Sequence, residues 1–322
     1  MSYEFILKWE NLQKNSTERE GINALLAFTD CIPELFIGID KDEKKCLILA
    51  LPQPIKVQLN KIKKEKISIE YFKKSNYIII TLLIDSYSDL FNDLIFSLYN
   101  KIKNISNPNK YSNEFINSFF KWSNFFDDNI SSRLSDEAIK GLFGELVILK
   151  DFIKESESIN VNYYLDSWKG PYGNSHDFIL NERDIEVKTK ELTKLDIHIS
   201  SEYQLESEAG KKLELQVLSV TFDTIEGLSL FELVNEIKEI VQRKSGEITI
   251  LFDALMQKGL SLNNLHEYDN FRYSMSNIKV FDCSNPEFPK LVKSNISESI
   301  KNLKYNLSLN HLEKFILSET TF

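Results

Sequence analysis

The stretch Asp184-Ile185-Glu186-Val187-Lys188-Thr189-Lys190 places a carboxylate and an amine two residues apart. In a β-strand residues i and i+2 share a face. Glu186 and Lys188 therefore project together, and Val187 points the other way. Asn181-Glu182 reads as a two-residue hairpin turn between a strand at Phe178–Leu180 and one at Arg183–Glu191. That turn sets Asp177 directly opposite Glu186, with Cβ atoms roughly 5 Å apart. Two carboxylates so close repel unless a proton or a cation lies between them. An oxygen-rich, partly open site of this kind suits Mg2+, which takes one or two carboxylates together with waters and a phosphate. The Val187 carbonyl is a further candidate ligand. A metal-dependent phosphodiesterase needs such a set: acids to hold a divalent cation and a base beside them. Acid-x-Lys alone decides little, since it recurs at Asp42-Glu43-Lys44 and Glu236-Ile237-Lys238.

The elements around this hairpin must hold it in place. Ser135 is a good N-cap for a helix over Asp136–Lys154, with Asp136 and Glu137 in its positive first turn. Its apolar stripe is Ile139, Leu142, Phe143, Leu146, Leu149 and Ile153. Gly141 and Gly144 cost about 1 kcal/mol each relative to Ala, which implies a neighbour packed close to the backbone. Glu145 falls on the edge of the apolar stripe. Gly-Pro and Gly-Asn pairs mark turns between Trp168 and His176. Further strands are expected at Leu195–Ser200 and Leu213–Phe222, with a short helix at Ser201–Ala209 between them. A helix follows at Ser229–Arg243. Then come a strand at Glu247–Phe252, a helix near Asp253–Lys258 and a strand region at Phe271–Cys283.

Residues 1–85 read as a mostly antiparallel sheet behind a helix at Tyr3–Lys14. Helices at Ser86–Lys103 and Glu114–Asp127 follow, separated by a loop over 104–113. The aromatics of the second are expected to pack rather than to stack bases. The fold class is therefore α/β, or α+β overall, with a mixed sheet flanked by helices. The expected parts are an N-terminal β-rich domain, 1–130, for recognition or partner binding, a core, 131–250, and a C-terminal extension, 251–322.

Composition excludes several classes. No apolar run approaches the roughly 20 residues of a membrane span, and the N-terminal residues lack a signal-peptide core, so no membrane and a cytoplasmic location are expected. Cys31, Cys46 and Cys283 are odd in number and scattered, which argues against a disulfide framework. The dispersed His176, His198, His266 and His311 argue against structural zinc. The net charge of −9 is unusual for a nucleic-acid binder. The acidic excess sits in residues 151–250, with 11 basic and 20 acidic side chains, where a bound cation would offset part of it. The most basic stretch, Lys56–Lys74, reads as a solvated sheet face or turn, or as protection of an edge strand, with contact to phosphates as the alternative.

The order helix-Glu, strand-Asp, strand-Glu-x-Lys resembles the PD-(D/E)xK nuclease superfamily, with its restriction-endonuclease-like fold. Gly141-Leu142-Phe143-Gly144-Glu145-Leu146, Trp168-Lys169-Gly170-Pro171, Asp177-Phe178, Ile185-Glu186-Val187-Lys188-Thr189 and Ser200-Ser201-Glu202-Tyr203-Gln204-Leu205 are similar to a bacterial family of such proteins catalogued as a domain of unknown function. His176 stands where the motif has Pro. The resemblance implies that Asp177 and Glu186 ligate Mg2+, with Mn2+ able to substitute. It implies that Lys188 positions or deprotonates the attacking water and stabilises transition-state charge. Glu145 would orient a metal-bound water or bind a second ion, and Gln204 would orient the site or contact phosphate. His176 and His198 are expected at ordinary core or surface positions. The implied activity is a DNA endonuclease of a bacterial restriction or anti-phage system. Its partners would be DNA, methyltransferase or ATPase components, and possible homodimer formation. The alternatives are a non-catalytic subunit that keeps the fold and a nuclease acting on RNA.

Overall fold

The computed structural model describes residues 3–14, 21–52, 55, 57–127 and 133–322. The chain divides into two compact units, Met1–Ile130 and Ser131–Phe322. The first opens with α1 (Tyr3–Lys14). Its antiparallel sheet contains β1 (Asn23–Leu26), β2 (Leu35–Ile39), β3 (Lys45–Ala50), β4 (Ile62–Lys63), β5 (Ile67–Phe72) and β6 (Tyr77–Leu82), in the order β1-β2-β3-β6-β5-β4. The continuous apolar runs of β3 and β6 pair at its centre, as strands buried on both faces should. Two helices follow, α2 (Ser88–Ile102) and α3 (Pro108–Ser123).

Helix α3 starts earlier than the sequence reading allowed. The segment 104–113 was expected to be a loop because of Pro108. Proline is tolerated at the first helical position, where its missing N–H has no partner to lose. Asn107 caps the helix by accepting from the Lys110 N–H at 3.1 Å. Phe115, Phe119 and Trp122 are buried, so the aromatics pack. Much of the basic stretch is structural too. Lys61 pairs with Glu70 at 2.6 Å, Lys64 with Asp127 at 3.2 Å, and Lys66 lies over the Tyr87 ring. Lys56 lies outside the described residues.

The second unit carries the candidate site and is a mixed α/β, restriction-endonuclease-like fold. Its helices are α4 (Asp136–Glu155), α5 (Val161–Ser167), α6 (Leu230–Arg243) and α7 (Ile248–Gln257). Its strands are β7 (Phe178–Ile179), β8 (Arg183–Glu191), β9 (Asp196–Ile199), β10 (Lys212–Phe222), β11 (Leu228–Ser229), β12 (Arg272–Asp282), β13 (Tyr305–Ser308) and β14 (Ile316–Thr321). The main sheet runs β11-β12-β10-β8-β7, with β14 also on β12, while β9 and β13 form a separate pair. β8 and β10 are parallel and the other pairings of the main sheet are antiparallel. Strand β10 is buried along most of its length, as its central place requires.

Two local expectations fail. The stretch Glu247–Phe252, expected as a strand, is the N-cap Glu247 and the first half of α7, with Ile248, Leu251, Phe252 and Leu255 buried at helical spacing. A short apolar run fits a buried strand and a buried helix equally well. Ser201–Ala209, expected as a short helix, forms turns and irregular chain.

Helix α4 begins where Ser135 predicts, its Oγ accepting from the Ala138 N–H. It packs on the face of β8 that carries Val187 and Thr189. A Cβ added at Gly144 would overlap the Thr189 hydroxyl and lie 3.2 Å from Thr189 Cβ and 3.6 Å from Val187 Cγ1. At Gly141 a Cβ would meet nothing within 4 Å. Gly144→Ala is therefore expected to destabilise by about 1–3 kcal/mol through overpacking. Gly141→Ala is expected to stabilise by about 0.5–1 kcal/mol through helix propensity. Urea denaturation of both variants checks this, and the same sign for both would refute the assignment of the close approach to Gly144.

Candidate active site at the free edge of β8

The hairpin has the expected register, with Phe178 opposite Ile185 and Ile179 opposite Asp184. β7 begins at Phe178, so among the described residues the β8 backbone beyond Ile185 has no strand partner on that side. Asp177 takes over there. Its Oδ2 accepts from the Val187 N–H at 2.8 Å. The carbonyl of a strand residue points the same way as its N–H, so the Val187 oxygen lies along the same edge. Asp177 is itself fixed by its own carbonyl, which accepts from the N–H groups of Lys169 and Gly170 at 2.7 and 3.0 Å. Trp168 forms a bridge with Phe178, so the Trp168–Gly170 turn clamps the start of the hairpin.

Glu145 reaches this edge from α4. Its Oε2 accepts from the Trp168 indole N–H at 2.7 Å, and Lys258 Nζ lies 3.8 Å from Oε1. A Cβ added at Gly170 would sit 2.6 Å from Glu145 Oε2 and 2.7 Å from Asp177 Oδ1. The two carboxylates thus face one small space that only glycine leaves open. Glu186, 2 % exposed, pairs with Lys188 at 2.8 Å.

A family model described as "Putative PD-(D/E)XK family member, (DUF4420)" matches residues 5–310. The chain belongs to that family. No curated protein and no solved structure matches it.

Within this PD-(D/E)XK framework the electrostatics are those of buried carboxylates close to one another. Burial, and then the Asp177 charge, raise the Glu145 pKa to about 7, against the pull of Lys258, Trp168 and Lys188. Burial also raises Asp177, opposed by the Val187 N–H and the lysines. Glu186 lies well above the usual carboxylate range, through burial and then Asp177. Three buried acids against two ammonium groups crowd negative charge, and their raised pKa values mean that held protons relieve part of it. Among the described residues no three His, Cys, Asp or Glu side chains converge closely enough to form a ready-made metal cluster. The donor set still fits Mg2+, which needs only one or two carboxylates and fills its other positions with water and phosphate. Glu145 and Asp177, which face one space, would be those two, with Glu186 held by Lys188.

Gln204 is occupied elsewhere. Its Oε1 accepts from the N–H and hydroxyl of Ser200 at 2.8 and 3.1 Å, holding its own turn. His198 is exposed and contacts Asn306. His176 is buried, its Nδ1 3.8 Å from Asp184, which also pairs with Lys211 at 3.1 Å. Two contributors escaped sequence reasoning. A buried indole N–H needs an acceptor, so Trp168 carried a signal that an acid lay near. Lys258 follows α7 directly and carries no local mark of its role.

Proposed function

We propose that this PD-(D/E)XK protein is a Mg2+-dependent endodeoxyribonuclease, with Mn2+ as an alternative metal. It would be the cleavage component of a bacterial restriction or anti-phage system, working with methyltransferase or ATPase proteins and forming a homodimer on DNA. The observation that supports cleavage is the facing of Glu145 and Asp177 on the small space at Gly170, with Glu186 of β8 bonded to Lys188 nearby. A bound divalent cation would supply Lewis acidity at the phosphoryl oxygen and a more acidic water. Glu145 and Asp177 would hold it, and Trp168 and the Val187 N–H would keep their carboxylates aimed. Lys188, 17 % exposed, is half-buried at the mouth of the site. It would orient the attacking water and stabilise charge building on the phosphate oxygens. No helix among the described residues is long and apolar enough to cross a membrane. The proposed place of action is the cytoplasm.

Nicking of supercoiled plasmid in Mg2+ tests the reading. Wild type is expected to cut and Lys188→Ala to cut about 10²- to 10⁴-fold more slowly, the usual worth of a positioned acid–base group. Equal rates for the two, with partner proteins supplied, would leave the fold without this activity.

A further inference from the structure

On β8 the face that carries Glu186 and Lys188 continues to Lys190, roughly 7 Å further along the strand. Sheet register sets what lies beside it. Lys190 neighbours Ser219 of β10, which neighbours Asn277 of β12. The adjoining row is Lys188, Val217 and Lys279. Neighbours in register share a face, so all six side chains stand on one floor, and that floor begins at the candidate site. Above it is a cavity of about 270 Å³ whose polar lining is Lys190, Lys194, Lys279, Ser219, Asn277 and Asn310 with one carboxylate, Glu313, and whose apolar walls come from the segments after β8 and before β14.

The polar groups of this cavity are only partly used. Lys279 lies 3.6 Å from Glu319, and Lys194 lies 3.3 Å from Glu191. Lys190 meets only the carbonyls of Glu191 and Leu192, both at 3.4 Å. Burial, and then the neighbouring Lys279, lower its pKa. The Asn277 amide donates to Glu319 at 3.1 Å, while its Oδ1 is buried without a hydrogen bond. A buried acceptor left unpaired costs about 1–3 kcal/mol. A ligand that answers this set has an anionic group for Lys190 and Lys279, an N–H donor for Asn277 Oδ1, and a flat apolar body for the walls.

We propose that this cavity binds one nucleotide of a nucleic-acid strand, its phosphate on Lys190 and Lys279 and its base edge donating to Asn277. Its place next to the scissile phosphate rests on the nuclease reading above. The match of the pocket to a nucleotide does not.

Calorimetry on the full chain in EDTA tests it, with deoxycytidine 5′-monophosphate and inorganic phosphate as probes. Wild type is expected to bind the nucleotide more tightly than phosphate. Lys190→Gln should weaken both by about tenfold, as loss of one charged contact does. Asn277→Leu should weaken the nucleotide alone. Lys279→Gln serves as a second charge variant if Lys190→Gln melts early, and Lys73→Gln, in an exposed turn of the other unit, should change nothing. No nucleotide binding by wild type, or wild-type affinity in the folded Lys190 and Asn277 variants, overturns the proposal. Plasmid nicking separates the two readings. Nicking without nucleotide binding removes the pocket alone, whereas nucleotide binding that depends on these residues without nicking removes the nuclease and leaves the pocket.

Discussion

Asp177→Asn is expected to abolish cleavage while making the metal-free protein more stable. The substitution keeps shape and keeps an oxygen to accept from the Val187 N–H, a bond of 2.8 Å in the native site. It removes one of the carboxylates that face each other across Gly170. The repulsion that helps raise Glu145 and Glu186 is relieved, so unfolding should cost about 1–2 kcal/mol more. The cation loses a charged ligand. If that forfeits about 4 kcal/mol of transition-state stabilisation, the rate falls roughly 10³-fold. Thermal denaturation in EDTA and plasmid nicking in Mg2+ are the paired measurements. A variant that is both less stable and inactive would point to a structural role for Asp177 in holding the hairpin. A variant that still cuts would remove Asp177 from the metal site.

The second large effect is on stability against pH. Glu145 has a folded pKa of about 7 against an ordinary value of 4.5. Between those values the folded state holds the proton more tightly, so stability falls as pH rises through the window and levels off above it. For this one group the loss is on the order of 3 kcal/mol. Buried Asp177 and Glu186 shift the same way. Carboxylates held low by partners, such as Asp223 and Glu232, change stability only in more acid solution. His176, lowered by burial, acts in the opposite sense below its ordinary 6.5. The informative quantity is therefore the difference between wild type and Glu145→Gln, which should flatten the decline. Mg2+ needs ionised ligands, so its stabilisation should grow from pH 5.5 to pH 8. Melting curves in EDTA and in Mg2+ across this range check both statements. A wild-type curve parallel to that of Glu145→Gln, or a magnesium effect independent of pH, would contradict the buried-acid account.

What could be read in the chain follows from how local each signal is. The β8 hairpin was legible because alternation and a two-residue turn fix register without help from distant residues. Helix α4 was legible from its Ser135 cap and its stripe. Glu145 at the stripe edge pointed the right way, though it is more deeply buried than an edge position suggests. Helix α7 was misread because six consecutive apolar-rich residues carry no period of their own. Lys258 was missed for a related reason: its role exists only once α7 docks beside the Trp168–Gly170 turn. Gln204 shows the converse, since a side chain near a motif in sequence can spend its oxygen on its own turn.

The indole of Trp168 has a further use. Of the three tryptophans, Trp9 and Trp122 belong to the first unit, and Trp168 stands by itself in the second. It is buried, and its N–H rests on the oxygen of Glu145 that faces Asp177. Any change in charge at that carboxylate alters the field across the indole ring. The protein thus contains an optical reporter wired to one atom of its own site. With Trp9 and Trp122 replaced by Phe, the remaining emission should shift on adding Mn2+ or Ca2+, and Glu145→Gln should abolish the shift. Occupancy could then be followed in real time, with no substrate present.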